Sequence, residues 1–307
     1  MLSLPVAMKI IKKLLEFSHK AEMQKLVHGL TDVGKARSVN EDYFIVNNDK
    51  SLYIVADGMG GHNAGDVASK NATEMADAYI TQERIDRVRG NIRQTRDMII
   101  HSLIHAHESI LKMADESAQL TGMGCTIVEA LILGNNLHLC HVGDARAYLS
   151  NENGITLLTR DHSHVMDLVA KGKLTLEEAR VSPLKNKLNQ AIGASRDIKP
   201  EYKHCFLKDG DKVLLCSDGL WDLMSDYQMY TVLRQDKPVK KLCEILIKMA
   251  NDAGGHDNIT AVIIQHKDNI NNEVVPNPTP EEIALLEKTG EYSFVFKNPT
   301  SEKINKD

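Results

Sequence analysis

This 307-residue sequence lacks the marks of a nucleic-acid-binding, membrane-spanning or disulfide-stapled protein. Basic residues do not outnumber acidic ones. The 37 Lys and Arg stand against 42 Asp and Glu, a formal net charge of -5, which leaves no broad cationic surface for a phosphate backbone. The five cysteines include no C-x-x-C pair. Cys140 and Cys216 lie inside the apolar runs 137–142 and 213–216, as small buried hydrophobes of a reducing compartment do. No apolar stretch is long enough to cross a bilayer, and residues 1–20 lack the uninterrupted apolar centre and small-residue cleavage site of a signal peptide. No internal repeat is visible. These absences predict a cytoplasmic protein.

What the chain does have is carboxylates at the ends of apolar runs. Residues 52–56 read as a buried strand leading into Val55-Ala56-Asp57-Gly58-Met59-Gly60-Gly61-His62. The glycines let the backbone approach an ion closely around Asp57, with His62 in reach. Asn40-Glu41-Asp42 precedes a strand, Val142-Gly143-Asp144 and Cys216-Ser217-Asp218-Gly219 each follow one, and His256-Asp257-Asn258 opens the last. A single Asp-Gly pair is ordinarily a turn. Carboxylates placed repeatedly at strand ends repel one another unless cations sit between them, so the set predicts a metal site.

Strands are expected at 25–30, 43–47, 52–56, 126–133, 137–142, 145–149, 155–158, 188–192, 201–206, 212–216 and 259–265. Helices are expected at 65–82, 91–119, 226–235 and 239–253. Helices grouped between runs of strands, with hairpins such as the one turning at Gly134-Asn135-Asn136, predict an α+β fold of two mostly antiparallel sheets with helices on each side. That domain should span 25–267. Residues 163–185 hold short helical signals too polar for core, and 268–307, with four of the eight prolines, read as a tail. Residues 1–24 place Leu2, Val6, Ile10, Leu14 and Phe17 at helical spacing, with Lys9, Lys12, Lys13 and Lys20 on other faces. This amphipathic helix either docks on its own domain or contacts a partner protein or an anionic, inner-membrane surface.

The acidic signatures, in this order, resemble those of the metal-dependent type 2C protein serine/threonine phosphatases, the bacterial branch most closely. The segments that carry the likeness are Thr31-Asp32-Val33-Gly34, Arg37-Ser38-Val39-Asn40-Glu41-Asp42, Ala56-Asp57-Gly58-Met59-Gly60-Gly61-His62 and Gly65-Asp66-Val67-Ala68-Ser69. They continue with Gly124-Cys125-Thr126, His141-Val142-Gly143-Asp144-Ala145-Arg146-Ala147-Tyr148 and Leu158-Thr159-Arg160-Asp161-His162-Ser163. Asn189-Gln190-Ala191-Ile192-Gly193, Ser217-Asp218-Gly219-Leu220-Trp221-Asp222 and Asp257-Asn258-Ile259-Thr260 complete them, so the likeness runs from about 29 to 264.

The resemblance implies a β-sandwich with helices on both outer faces and a flap at 163–185. It implies Asp57 bridging two Mn²⁺ or Mg²⁺ ions, Asp218 and Asp257 completing the first, the Gly58 carbonyl serving the second, and Glu41 and Asp42 holding its waters. A third, weaker ion would fall to Asp144 and Asp218. Arg37 corresponds to the phosphate-binding arginine and His62 to the general acid. Phosphorylated proteins and a cognate kinase are the implied partners. Ala145 replaces a usual serine and Asp66 a commoner glutamate, neither of them a direct ligand.

The chemistry agrees with those residue types. Oxygen-rich sites suit Mg²⁺ and Mn²⁺, and two such ions lower the pKa of a shared water. A planar guanidinium can hold two phosphoryl oxygens. A serine or threonine alkoxide leaves poorly without a proton, which a histidine can give. His101 and His105, at i and i+4, lack the glutamate of H-E-x-x-H and read as a solvated helix face. Cys205 has Asp211 where a C-x₅-R phosphatase needs arginine. The rival to an enzyme is a catalytically silent relative that binds phosphoproteins or scaffolds a complex. Such a relative should have lost metal carboxylates, and Asp57, Asp218 and Asp257 are all present.

Overall fold

Two five-stranded antiparallel sheets face each other at the centre of the chain. The computed structural model describes residues 26–60 and 64–268. The helix expected over 1–24 and the tail beyond 268 lie outside those residues. One sheet runs β1 (Val27–Asp32), β10 (Ile259–Gln265), β9 (Lys212–Cys216), β6 (Arg146–Asn151), β7 (Gly154–Leu157). The other runs β2 (Asp42–Asn47), β3 (Leu52–Met59), β4 (Gly124–Leu133), β5 (Asn136–Val142), β8 (Glu201–Phe206).

Alternation along the strands builds four layers. In β3, Tyr53 and Val55 point between the sheets, where they join Val128, Leu139, Leu149, Leu215 and Val262. Ile54 and Ala56 point outward, onto α1 (Ala64–Tyr79) and α3 (Ile92–Glu116). Ala64, Ala68, Ala72 and Ala76 form a small-residue stripe on α1 that lets the helix lie close against β3. On the opposite face, Tyr148, Leu214 and Ile263 pack against Leu242, Leu246 and Ala250 of α8 (Val239–Asp252) and against α7 (Asp226–Leu233). This is the α+β sandwich that the alternation of strand and helix signals leads one to expect.

Four details differ from the sequence reading. The segment 188–192 is not a strand. Leu188 bridges Ser163 while Ile192 bridges Cys125, so its two ends pair with different elements and no register continues. A short helix, α2 (Gln82–Val88), fills what read as a break between two long ones; Thr81 caps it by accepting from the Arg84 N–H at 3.2 Å. The third is α6 (Asp218–Trp221), a single turn too short to show a period. The fourth concerns β3, which runs on through Asp57 and Gly58 to Met59 because β4 pairs it as far as Gly124. Between β7 and β8, the flap segment folds as α4 (His164–Ala170) and α5 (Leu176–Val181).

Candidate metal centre

Asp42 and Asp57 are direct cross-strand partners of β2 and β3. The other sheet closes over them. Ser217, just past β9, and Thr260, in β10, both donate their hydroxyls to Asp42 Oδ2, at 2.7 and 2.6 Å. One carboxylate thus ties the ends of both sheets together. Thr260 is supported in turn by Thr31 (2.7 Å), which accepts from the Asn40 amide at 2.8 Å. Asp218 opens α6 directly after Ser217, and Asp257 and Asn258 directly precede β10.

Burial, and then mutual repulsion, raises the proton affinity of these acids. Burial pushes Asp42 up to about 7, against the pull of Thr260 and Ser217, and the charges of Asp218 and Asp257 add to it. Burial also lifts Asp57 well above the ordinary carboxylate range, with Asp42, Asp218, Asp144 and Asp257 adding repulsion. Asp144 rises well above that range through burial and then Asp218. Asp218 rises to about 6 through burial and then Asp257. Glu41 rises through burial, with Arg37 opposing. Asp42 Oδ1, Asp218 Oδ1 and the Thr126 hydroxyl beside Asp57 are buried with no hydrogen-bond partner. Buried anions that repel one another and leave oxygens unpaired fit divalent cations, which would supply the missing charge and the missing partners.

Glycines bring the backbone in. A Cβ on Gly58 would sit 2.1 Å from the Gly65 carbonyl oxygen and 2.6 Å from that of Glu41. A Cβ on Gly219 would sit 2.0 Å from the Asn258 carbonyl oxygen, so α6 can lie against the Asp257 turn only with glycine there.

Arg37 reaches the same cluster. Its Nη2 donates to Asp257 Oδ2 at 2.9 Å, and Asp257 raises its already high pKa further. The guanidinium stays half-exposed, open to a ligand from solvent. His62 lies outside the described residues. Glu41, Asp42, Asp57, Gly58, Asp218, Asp257 and Arg37 are gathered at one edge of the sandwich, and Asp144 reaches Asp57 and Asp218 electrostatically.

Several supporting residues stand inside the quoted motifs with no role assigned from sequence. Asn258 accepts from the Glu41 N–H (2.8 Å) and donates to the Val33 and Val39 carbonyls (3.0 and 2.9 Å), pinning the loop that carries Arg37. Arg146 pairs with Asp161 through two contacts of 2.9 and 2.7 Å and lies 3.6 Å over the Trp221 ring. The Trp221 indole N–H donates to the Asp144 carbonyl at 3.0 Å. Their nearness to the carboxylates in sequence was the available signal.

A second cluster, His141, His162 and Glu201, has ligand atoms within 4.8 Å of one another. Its orientation argues against an ion. The two rings stack at 4.6 Å and 19°, so their in-plane lone pairs run side by side instead of converging. His162 Nδ1 accepts from the Gly143 N–H at 3.1 Å, which leaves the proton on Nε2, facing Glu201 at 3.3 Å. The pair buttresses the Gly143 turn. His101 and His105 are exposed on α3, and Cys205 is buried, its thiol pushed up to about 12 by burial.

The chain is similar to known proteins over most of its length. Residues 19–259 match the family model described as protein phosphatase 2C. The chain is 36% identical over 239 residues to the protein phosphatase PhpP of Streptococcus pneumoniae, covering 76% of this chain and 95% of that one. A solved serine/threonine phosphatase of S. agalactiae superposes with a TM-score of 0.71 at 36% identity, covering 78% of this chain and 99% of that one. The catalytic domain of the serine threonine protein phosphatase PstP, solved in complex with two manganese ions, gives 0.68 at 30% identity, covering 79% and 98%. The chain belongs to the protein phosphatase 2C family of metal-dependent serine/threonine phosphatases.

Proposed function

We propose that this phosphatase removes phosphate from phosphoserine and phosphothreonine of cytoplasmic proteins, reversing a cognate kinase, at a centre built for two Mn²⁺ or Mg²⁺ ions. Asp57, with Asp218, Asp257 and the Gly58 carbonyl, would hold the pair; Glu41 and Asp42 would hold its waters; Asp144 with Asp218 would hold a third, weaker one. The observation that carries this reading is the meeting of buried, mutually repelling carboxylates from both sheets, two of which have unpaired oxygens. When bound, such ions stabilise negative charge and make a water acidic enough to be a nucleophile near neutral pH.

The chain's own groups supply the rest. Arg37, open to solvent on one side and held by Asp257 on the other, would orient the phosphoryl group through its remaining donors. His62, placed by its motif five residues after Asp57, would give the proton that the leaving alkoxide needs. Asn258 holds the Arg37 loop in register with the carboxylates.

The test is hydrolysis of a phosphothreonine peptide with Mn²⁺ by the wild type, Asp57→Asn and Asp144→Ala. Loss should be near complete for Asp57→Asn and partial for Asp144→Ala, since an amide cannot supply the central charge. Normal turnover in Asp57→Asn would sink the reading.

A further inference from the structure

The flap is tied to the rest of the molecule at one point beyond its base. At the base, the His164 N–H donates to the Lys187 carbonyl (2.8 Å) and the Asn189 N–H to that of His162 (2.8 Å). Inside it, the Asn189 amide donates to Asp167 (2.9 Å) and Thr175 caps α5. Among the described residues, Lys185 is the only side chain between 164 and 187 that makes a hydrogen bond or ion pair with a residue outside 162–189. Its ammonium donates to both oxygens of Asp222, at 2.6 and 2.7 Å. Apolar anchoring comes from Val165 and Ala179, both buried; Leu176, Val181 and Leu184 are all exposed, Val181 by 84%.

The place where Lys185 lands matters. Asp222 caps α6, its N–H donating to the Asp218 carbonyl at 2.9 Å, and stands one turn on from the Asp218 side chain. One helical turn from Asp218, its negative charge attracts a cation held there.

We propose that Lys185 couples the flap to the metal centre: latched on Asp222, it closes the flap and at the same time lowers the affinity of Asp218 for a divalent cation. The coupling is reciprocal, as any linkage between two binding equilibria must be. A cation at Asp218 weakens the latch, and release of the latch tightens the cation. The inference rests on Asp218 being a cation ligand.

The test compares wild type, Lys185→Met and Lys185→Arg in two measurements. The first is cleavage after Glu177 and Glu178 by a glutamate-specific protease in EDTA, followed by mass spectrometry; it needs no metal and reports local opening of the flap. The second is Mn²⁺ affinity by titration calorimetry. Lys185→Met should be cut about two- to fivefold faster and should bind Mn²⁺ about two- to fivefold more tightly, the scale of a part-exposed ion pair. Lys185→Arg should match the wild type in both. Unchanged cleavage in Lys185→Met would overturn the latch. Faster cleavage with unchanged or weaker Mn²⁺ affinity would overturn the coupling. A wild type that binds no Mn²⁺ would overturn the metal reading, and the coupling with it, while leaving the cleavage result to decide the latch alone.

Discussion

Asp42 and Asp57 face each other as direct cross-strand partners, one held by Ser217 and Thr260 and the other surrounded by acids. Like charges opposed across a strand pair destabilise it, so the metal-free protein should depend on pH in a defined direction. Asp42 and Asp218 have folded values of about 7 and about 6, above the ordinary value of about 3.9 for an aspartate. An acid raised by folding keeps its proton in the native state where the unfolded chain has already released it. Its contribution is therefore full below about pH 4 and is lost as pH rises through the folded value. In EDTA the wild type should lose stability between pH 5 and 7.5, and Asp42→Asn should lose distinctly less. Urea midpoints at the two pH values decide it; equal losses would show that Asp42 is not the strained group.

Gly219 should tolerate no side chain. The Cβ of Gly219→Ala would meet backbone, the Asn258 carbonyl, at 2.0 Å. Overpacking of this kind costs about 1–3 kcal/mol, or about 2–12 °C in Tm for a domain of this size. Because the clash drives α6 from the Asp257 turn, Mn²⁺ affinity should fall as well. Calorimetry with and without Mn²⁺ checks both effects, and an unchanged Tm would refute the close approach.

His62→Gln should separate two substrates. General-acid help is worth about 10²–10⁴-fold and matters most where the leaving group is worst. Phosphothreonine-peptide hydrolysis should therefore fall far more than that of p-nitrophenyl phosphate, whose phenolate leaves without a proton. Both are measured at saturating Mn²⁺. Equal losses would move His62 to the metal shell or to phosphate binding.

The sequence made Asp57, Asp218 and Asp257 legible because each stands where an apolar run meets a turn, which is local information. The sandwich followed from alternation, since inward and outward residues of β3 differ by one position. Ser217, Thr260 and Asn258 were not legible as supports, because their partners are 175, 218 and 217 residues away in sequence and depend on which strand ends meet. Residues 188–192 misled for the opposite reason. Their apolar ends look like a strand, but each end pairs with a different element. The single turn of α6 carries no periodicity at all, although it positions Asp218. The Lys185–Asp222 contact joins the segment read as a flap to a motif read as metal-binding; only the folded chain brings them together.

The central claim is that the carboxylate centre holds divalent cations around Asp57. Equilibrium dialysis of the wild type and Asp57→Asn against Mn²⁺ at pH 7.5, with metal counted per chain, tests it directly. The expected result is at least two Mn²⁺ per wild-type chain and loss of that pair in Asp57→Asn, with the variant still folded by circular dichroism. Equal Mn²⁺ binding by both chains, or none by the wild type, would contradict it.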